Sequence, residues 1–588
     1  MTFELKKSVV NEGFVSGSRT PTVEATIEGD FRVSTDFKAT LKRTLDLIGD
    51  ESAHEWRTSI TSITSLEDLL VASMWCASIG CDPLIEGALH CSVLPNPVIS
   101  ETRVTVLIPV TNPRLADLVT HTFVTILNVA TVLDEPVFLQ NVQNLKRQFG
   151  AKTGAMSIMN HRLLLKAAYE LDLPIYHLSR SHAVIGNGEN SRHFQSTLTE
   201  KTSALGQGVA QSKSRTAQYL RALSLPVPDQ YFPYNASAAI AEFRRIGVPI
   251  VLKPDNLDRG QGVHTNLRSE QEISTAFHKV KSLTPRVLLE PHIQGFVHRL
   301  TVFEGSVIKA VQRTPAGVLG DGVRTIETLV QERAKNSAFQ EQSRRHKDFL
   351  MTLDTLALEM LSKFGWKRDD IPEEGHFVRL RPSDNVSMGG SNTTLNLTED
   401  IHPENLALAT KAAGALQLDI AGIDIFSHDL SVAWYDNDAM IGEVNVAPQI
   451  GTGTTPFVFK ELLSEAVPNR GYIDLEIVIV ASHLHPDGCH STESTGVGIS
   501  TQQAVWIDHE CYSRKVENSF TAARTLLLLP SVSEATCYLS PEDVLAYGLP
   551  SPYCRKINVV TDSETEKQAL KQLLQPHTED FIFSSPEK

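Results

Sequence analysis

The stretch Val251–His264, VLKPDNLDRGQGVH, carries the residue types that handle a triphosphate. An apolar run suited to a strand delivers Lys253 to its end, and a polar turn follows with Gly260 and Gly262 two apart. Backbone N–H groups without Cβ crowding approach phosphate oxygens, and the ammonium supplies counter-charge. The chain contains no Gly-Lys-Ser/Thr, so this is not the common phosphate loop. On its own the stretch also fits an ordinary strand and hairpin.

A second group of residues points to a cation. LDIAGIDIFS (418–427) reads as a buried strand with Asp424 near its end, and AMIGEVNVAPQIG (439–451) as another carrying Glu443 and Asn445. A period of two places Glu443 and Asn445 on one face. A carboxylate inside an apolar strand is costly to bury unless it is paired or bound to a metal. Two such strands in succession suggest oxygen ligands for a Mg²⁺ that also touches phosphate. The plainer alternative is a pair of edge carboxylates facing water.

Several elements must hold these groups. A helix is expected over roughly 203–223, stopped by LPVP and carrying Lys213, whose plain reading is a solvated lysine. RVLLEP (286–291) is a short buried strand holding Glu290. His298–Val302 and Ser306–Val311 alternate as a hairpin about Glu304-Gly305. Thr325 caps a helix that opens a long polar helical region, about 326–364, with RRHK at 344–347 as a solvated face. RLRPSDNVSMGGSNTTLN (379–396) is a Gly/Ser/Asn-rich candidate substrate loop. Helices are also expected at 115–132, 159–171, 270–281 and near 518–529, with strands at 104–110 and 475–481.

With 588 residues the chain has room for about three domains. Hydrophobic and charged fractions of 41% and 21% are those of an ordinary globular protein. A formal net charge of −15 argues against a chain built to hold nucleic acid. The seven cysteines and the group His483, His485 and His490 follow no closed zinc spacing. The start, MTFELKKSVV, lacks a signal-peptide core, and no apolar run is long enough to span a bilayer. A soluble, cytoplasmic protein with reduced thiols is expected.

The order Lys213, Lys253 with its glycine loop, Glu290, Asp424, Glu443-x-Asn445 resembles the ATP-grasp carboxylate–amine ligases. The segments TSALGQGVAQSKSRT, VLKPDNLDRGQGVHTNL, LEPHIQGFVHRL, RTPAGVLGDGVRTIETL, NVSMGGSNTT, LDIAGIDI and EVNVAPQIG resemble the cyanophycin synthetase family more narrowly. The resemblance implies an α/β protein in three parts: an N-terminal α/β domain over 1–158, a central ATP-grasp domain over 159–470, and a truncated Mur-ligase-like α/β region over 471–588. That last region lacks the phosphate loop a second ATP site would need, which is the pattern of the short type of the family.

The same resemblance implies roles. Lys213 and Lys253 grip the phosphates of ATP, with Lys253 counted among the catalytic groups. The loop through Gly260 and Gly262 folds over the phosphates. Glu290 and the adjoining backbone at Ile293 hold the adenine. Asp424, Glu443 and Asn445 hold two Mg²⁺ ions. Arg299 and Arg313 face the transferring phosphoryl or the acyl phosphate. Asn385, Ser387, Gly389, Gly390 and Ser391 face the polymer end. Related sequences carry a carboxylate able to hold ribose hydroxyls where this chain has Val297. The implied partners are a cyanophycin primer and β-aspartyl-arginine dipeptide, with neither nucleic acid nor membrane, in a homodimer. One ATP site implies one kind of bond per cycle, so the side branch arrives already joined. The alternatives are a ligase for another amino acid or dipeptide, and an inactive polymer-binding relic.

Overall fold

Alternation along five short strands builds the part of the molecule that matters here. In the computed structural model the strands Ser391–Leu395, Ser306–Thr314, Phe296–Phe303, Ile420–Ser427 and Met440–Val446 lie side by side in that order. Every neighbouring pair is antiparallel. Leu300, Val302, Ala310, Ile423, Ile425 and Val444 share one face and bury it against Leu408, Ala409, Ala412 and Ala413 of helix Pro403–Ala415. Opposed residues of an antiparallel pair share a face. The reverse face therefore displays Arg299 and Thr301, opposite Asp424 and Gly422, opposite Glu443 and Asn445.

A bulge makes this division possible. Asp424 opposes Glu443 but Ile425 opposes Ile441, so Gly442 is an extra residue in the ladder. Strict alternation would put Ile441 on the same face as Glu443. The inserted glycine turns Ile441 into the core and leaves Glu443 on the polar side. Gly442 also has to be small, since a Cβ there would meet the Phe426 ring at 2.2 Å.

A second sheet sets Ile250–Pro254 between His264–Leu267 and Val287–Pro291, again antiparallel. Ile250, Leu252 and Leu289 pack with Ala239 of helix Ala236–Ile246 and with Ile273, Phe277 and Val280 of helix Glu270–Leu283. Asn235 caps the first helix, and a reciprocal Ser269–Glu272 capping box starts the second. A smaller core gathers Val318, Ile326, Leu361 and Val378.

The described residues are 2–31, 35–48, 65–81, 97–153, 159–179, 181–257, 261–335, 352–381, 391–450, 457–484 and 495–586. They group into two compact units, Thr197–Thr454 and a second made of Met1–Ser196 with Thr455–Lys588. Both sheets above belong to the first unit. In the second, an antiparallel sheet ordered Glu4–Asn11, Thr22–Glu28, Arg103–Pro109, Val98–Ile99 shares a core with helices Leu66–Cys81 and Ala116–Val129. The same unit contains a seven-stranded sheet in which Val497–Ser500, Glu534–Leu539, Asp474–Ile479, Lys556–Val560 and Asp580–Ser584 run parallel. The sequence reading drew its boundaries at 158 and 470, whereas the compact units divide at 196/197 and 454/455, and Tyr176 and Val184 pack with the C-terminal core. No helix among the described residues is long and apolar enough to cross a membrane.

The hairpin about Glu304-Gly305 is present, with φ of 42° and 83°, the positive pair that a tight two-residue turn requires. Thr325 caps helix Ile326–Lys335 through the Thr328 amide. Two expected helices are broken. The stretch 203–223 forms Ala204–Ala210 and Lys213–Ala222, because Ser212 goes extended and its hydroxyl accepts from the Arg215 amide. The polar region 326–364 is likewise interrupted before Thr355–Lys363, where Asp354 caps a new helix. The RRHK run, His485, His490, Cys91 and Cys489 lie outside the described residues.

Ile423 is fully buried between the central strands and helix Pro403–Ala415. Ile423→Ala is expected to cost roughly 2–5 kcal/mol through lost transfer energy and the cavity left behind. Denaturant unfolding monitored in the same buffer measures it.

Candidate nucleotide site

The unit Thr197–Thr454 carries three charged groupings. The first is on the polar face. Asp424 and Arg299 are almost fully buried, and Arg299 meets Asp424 in a two-pronged pair, with Nη2 2.9 Å from Oδ2. The register sets this contact, since Arg299 and Asp424 face each other across adjacent strands. Arg313 Nη1 adds a contact to Asp424 Oδ2 at 3.4 Å, and Asn445 Nδ2 donates to the Gly422 carbonyl at 3.3 Å and to Asp424 Oδ2 at 3.5 Å. Burial opposes charge on Asp424, but the guanidiniums of Arg299 and Arg313 outweigh it and hold the carboxyl below its ordinary value. Burial likewise works against the Arg299 cation, and Asp424 more than restores it.

The second grouping reaches the first from a helix. Lys213 is the first residue of helix Lys213–Ala222. Its Nζ donates to the Leu257 carbonyl at 2.8 Å and lies 3.4 Å from Glu443 Oε1. One ammonium therefore joins the segment after the Lys253 strand to the strand of Glu443. Asp255 holds the helix start in place. Its carboxylate accepts from the Ser214 amide and hydroxyl, both at 2.8 Å, and its carbonyl from the Lys213 amide at 3.2 Å. An anion at a helix start satisfies amides that have no partner within the helix.

The third grouping is a buried ion pair. Lys253 Nζ lies 2.6 Å from Glu290 Oε2, with both side chains nearly inaccessible. Gln230 donates to the other oxygen, Oε1, at 2.7 Å. A narrow cleft is lined by Lys213, Thr216, Val227, Gln230 and Glu443.

The candidate residues fall in three clusters rather than one. Asp424, Asn445, Arg299 and Arg313 come together, Glu443 joins them by register, and Lys213 reaches Glu443. Glu290 binds Lys253 rather than standing apart from it. Gly262 has a left-handed φ of 68°, and a Cβ there would come 2.7 Å from Leu283 Cδ1. Backbone shape and packing therefore already demand glycine, before any phosphate is considered. Ile293 is half-buried between strands Val287–Pro291 and Phe296–Phe303. Val297 opposes Arg313 on one side and Phe426 on the other. Ser391 begins the edge strand beside Thr314. Gly260, Asn385, Ser387, Gly389 and Gly390 lie outside the described residues. The sequence reading missed Gln230 and Asp255. For Asp255 a signal existed: an acid two residues after Lys253, preceding a polar turn.

The donors fit a hard divalent cation. Carboxylates on Asp424 and Glu443 and an amide on Asn445 share one face of adjacent strands. Among the described residues no three His, Cys, Asp or Glu side chains gather to hold an ion by themselves, so a bound ion would depend on Asn445 and on ligand oxygens. Lys213, Arg299 and Arg313 bring three cations to the carboxylates of Asp424 and Glu443, a setting suited to a polyphosphate.

No family model matches the chain. Among curated proteins, cyanophycin synthetase of Geminocystis herdmanii is 33% identical over 293 residues, covering 48% of this chain and 33% of that protein. The chain is similar to cyanophycin synthetases. That of Synechocystis matches at 27% over 401 residues, 64% of this chain and 45% of the relative. The chain thus spans about a third to a half of the length of these relatives. A bifunctional glutathione synthetase from Pasteurella multocida aligns with a TM-score of 0.38 at 19% identity, covering 60% of this chain and 53% of the other.

Because the folded Asp424 binds its proton more weakly than the unfolded chain, its contribution to stability is fully present above the ordinary value of 3.8 and is lost as pH falls through the folded value. Asp424→Asn is expected to flatten the acid limb of the stability curve below about pH 5. At neutral pH it should cost roughly 3–5 kcal/mol, because the buried Arg299 guanidinium loses its partner. Urea melts of both proteins across that range test both statements.

Proposed function

We propose that the unit Thr197–Thr454 is the nucleotide site of an ATP-grasp carboxylate–amine ligase that lengthens cyanophycin. The observation that carries this reading is the polar rung Glu443–Asp424–Arg299, reached by Lys213, in a chain similar to cyanophycin synthetases.

A carboxylate does not condense with an amine in neutral water, because its oxide is too poor a leaving group. Transfer of the γ-phosphoryl of ATP to the C-terminal carboxylate of the growing chain gives an acyl phosphate and ADP. The amine of the incoming unit attacks its carbonyl carbon, the C–O bond to phosphate breaks, and the amine proton leaves with the departing phosphate or to water. The protein's part is positioning and charge neutralisation. Lys253 exchanges Glu290 for a phosphate oxygen, and Glu290 then takes a donor from the base, with Ile293 beside it. Lys213 supplies a second cation at the boundary between phosphates and Glu443. Arg299 is held rigid by Asp424 and presents its remaining N–H groups, with Arg313, to the transferring phosphoryl. Asp424, Glu443 and Asn445 are the residues that would hold Mg²⁺, which supplies charge neutralisation of the phosphates when bound. Gly260 and Gly262 belong to the loop that excludes water from the acyl phosphate. The loop containing Asn385, Ser387, Gly389, Gly390 and Ser391 faces the polymer end.

The incoming unit in this reading is β-aspartyl-arginine. A single nucleotide site of one geometry makes one kind of amide, so the β-linked arginine is already in place and only the backbone bond remains. Purified protein with ATP, Mg²⁺ and primer is expected to release phosphate and lengthen the polymer with the dipeptide, and not with free aspartate plus arginine. The opposite preference would defeat the dipeptide assignment, while turnover with another amine alone would leave a ligase of different substrate. Lys253→Met should lower kcat/KM about a hundredfold or more by removing a cation aimed at developing phosphate charge.

A further inference from the structure

Among the described residues the strand of Glu443 and Asn445 ends the order of its sheet, pairing with Ile420–Ser427, and outside the sheet its Ile441 amide donates to the Pro226 carbonyl at 2.9 Å. The chain that follows it is held by other means. Ala447 takes a left-handed φ of 51°, a backbone region costly for a residue with a Cβ. Pro448 then lies against Gly422 of the neighbouring strand, where an added Cβ would come 2.9 Å from Pro448 Cβ and 2.9 Å from Arg299 Nη1. The Pro448 carbonyl accepts from the buried hydroxyl of Thr197 at 3.0 Å. The Ile450 carbonyl accepts from Lys309 Nζ at 2.5 Å.

Lys309 stands two strands beyond Gly422, opposite Thr301 and on the face of Arg299 and Arg313. Residues 447–450 therefore form a strap that doubles back over the polar face along the rung Asn445–Gly422–Thr301 and is met from the far side by Lys309. The parallel rung, one step along the strands, is Glu443–Asp424–Arg299. The strap is thus a wall beside the charged centre. Gly422 is glycine because strap and guanidinium both press on the position a Cβ would fill. Burial pushes the Lys309 ammonium down to about 8, and the Ile450 carbonyl gives it a hydrogen-bond acceptor.

We propose that Lys309 is a positioning residue for the nucleotide site: it tethers the strap, and the strap keeps the edge strand in register so that Glu443 and Asn445 stay beside Asp424. What the site binds rests on the ligase reading; the tether itself does not. Hydrogen exchange of the Met440–Val446 amides, together with Mn²⁺ binding in the presence of ATP, tests it on three variants. Lys309→Met keeps length and removes charge. It is expected to speed exchange in that strand, to weaken Mn²⁺·ATP binding about tenfold, as for one lost charge-assisted hydrogen bond, and to raise the KM for ATP more than it lowers kcat. Lys309→Arg should restore most of both. Thr197→Val removes the other tether and should act in the same direction, which keeps the test available if Lys309→Met fails to fold. Wild-type exchange and affinity in Lys309→Met would overturn the tether and leave the ligase reading standing. Absence of ATP binding by the wild type, with faster exchange in the variant, would overturn the ligase reading and leave the tether standing.

Discussion

A carboxylate buried beneath two guanidiniums is the constraint around which the unit Thr197–Thr454 is arranged. Asp424 has Arg299 directly opposite in the ladder and Arg313 one strand further away. A lone ion at that depth would be prohibitive, and a pair is tolerable only when geometry is good and the remaining lone pairs are used. The antiparallel register supplies that geometry without side-chain search, because the residues are opposed before they ionise. The ion pair in turn fixes where the remaining N–H groups of Arg299 point. A pre-oriented cation in a water-poor site stabilises developing charge with little reorganisation.

Register alone would not have sufficed. The strand of Glu443 must send Ile441 into the core and Glu443 to the opposite face, which an unbroken period of two forbids. The additional residue Gly442 resolves the conflict at the cost of a ladder irregularity. Lys213 then closes the gap between the two sheets. Its helix starts at Ser212 because Ser212 and Asp255 satisfy the first amides, so the position of the ammonium follows from capping chemistry. The helix packs Leu220 into the core of the five-stranded sheet, while charged and polar contacts from Lys213 and to Asp255 tie it to the second sheet, whose apolar core is separate.

Much of this was legible in the residues. The strands of Lys253, Glu290, Asp424 and Glu443 follow from apolar runs and alternation, and the Glu304-Gly305 hairpin from its turn chemistry. What failed to appear in the sequence depends on long-range competition. The break at Ser212 arises because Asp255, more than forty residues away, rewards an extended serine. The bulge at Gly442 is set by the needs of a core assembled from other segments. Gly262 was read as room for phosphate, but Leu283 and Pro254 already require it to be small. The pairing of Lys253 with Glu290 was hidden because each residue alone suggested a ligand. The register of their strands, with Glu290 opposite Val251 and Leu288 opposite Lys253, decides that they meet.

That last pair has a consequence for what can enter. Lys253 and Glu290 neutralise each other in a nearly dry setting, and Gln230 occupies the second carboxylate oxygen. Any guest that parts them must hand an acceptor to the ammonium and a donor to the carboxylate at once, or strand a buried ion. An anion with no hydrogen to give meets half of that demand, and an uncharged base meets the other half. The resting contact is therefore a two-key lock, opened by molecules that carry both functions a fixed span apart.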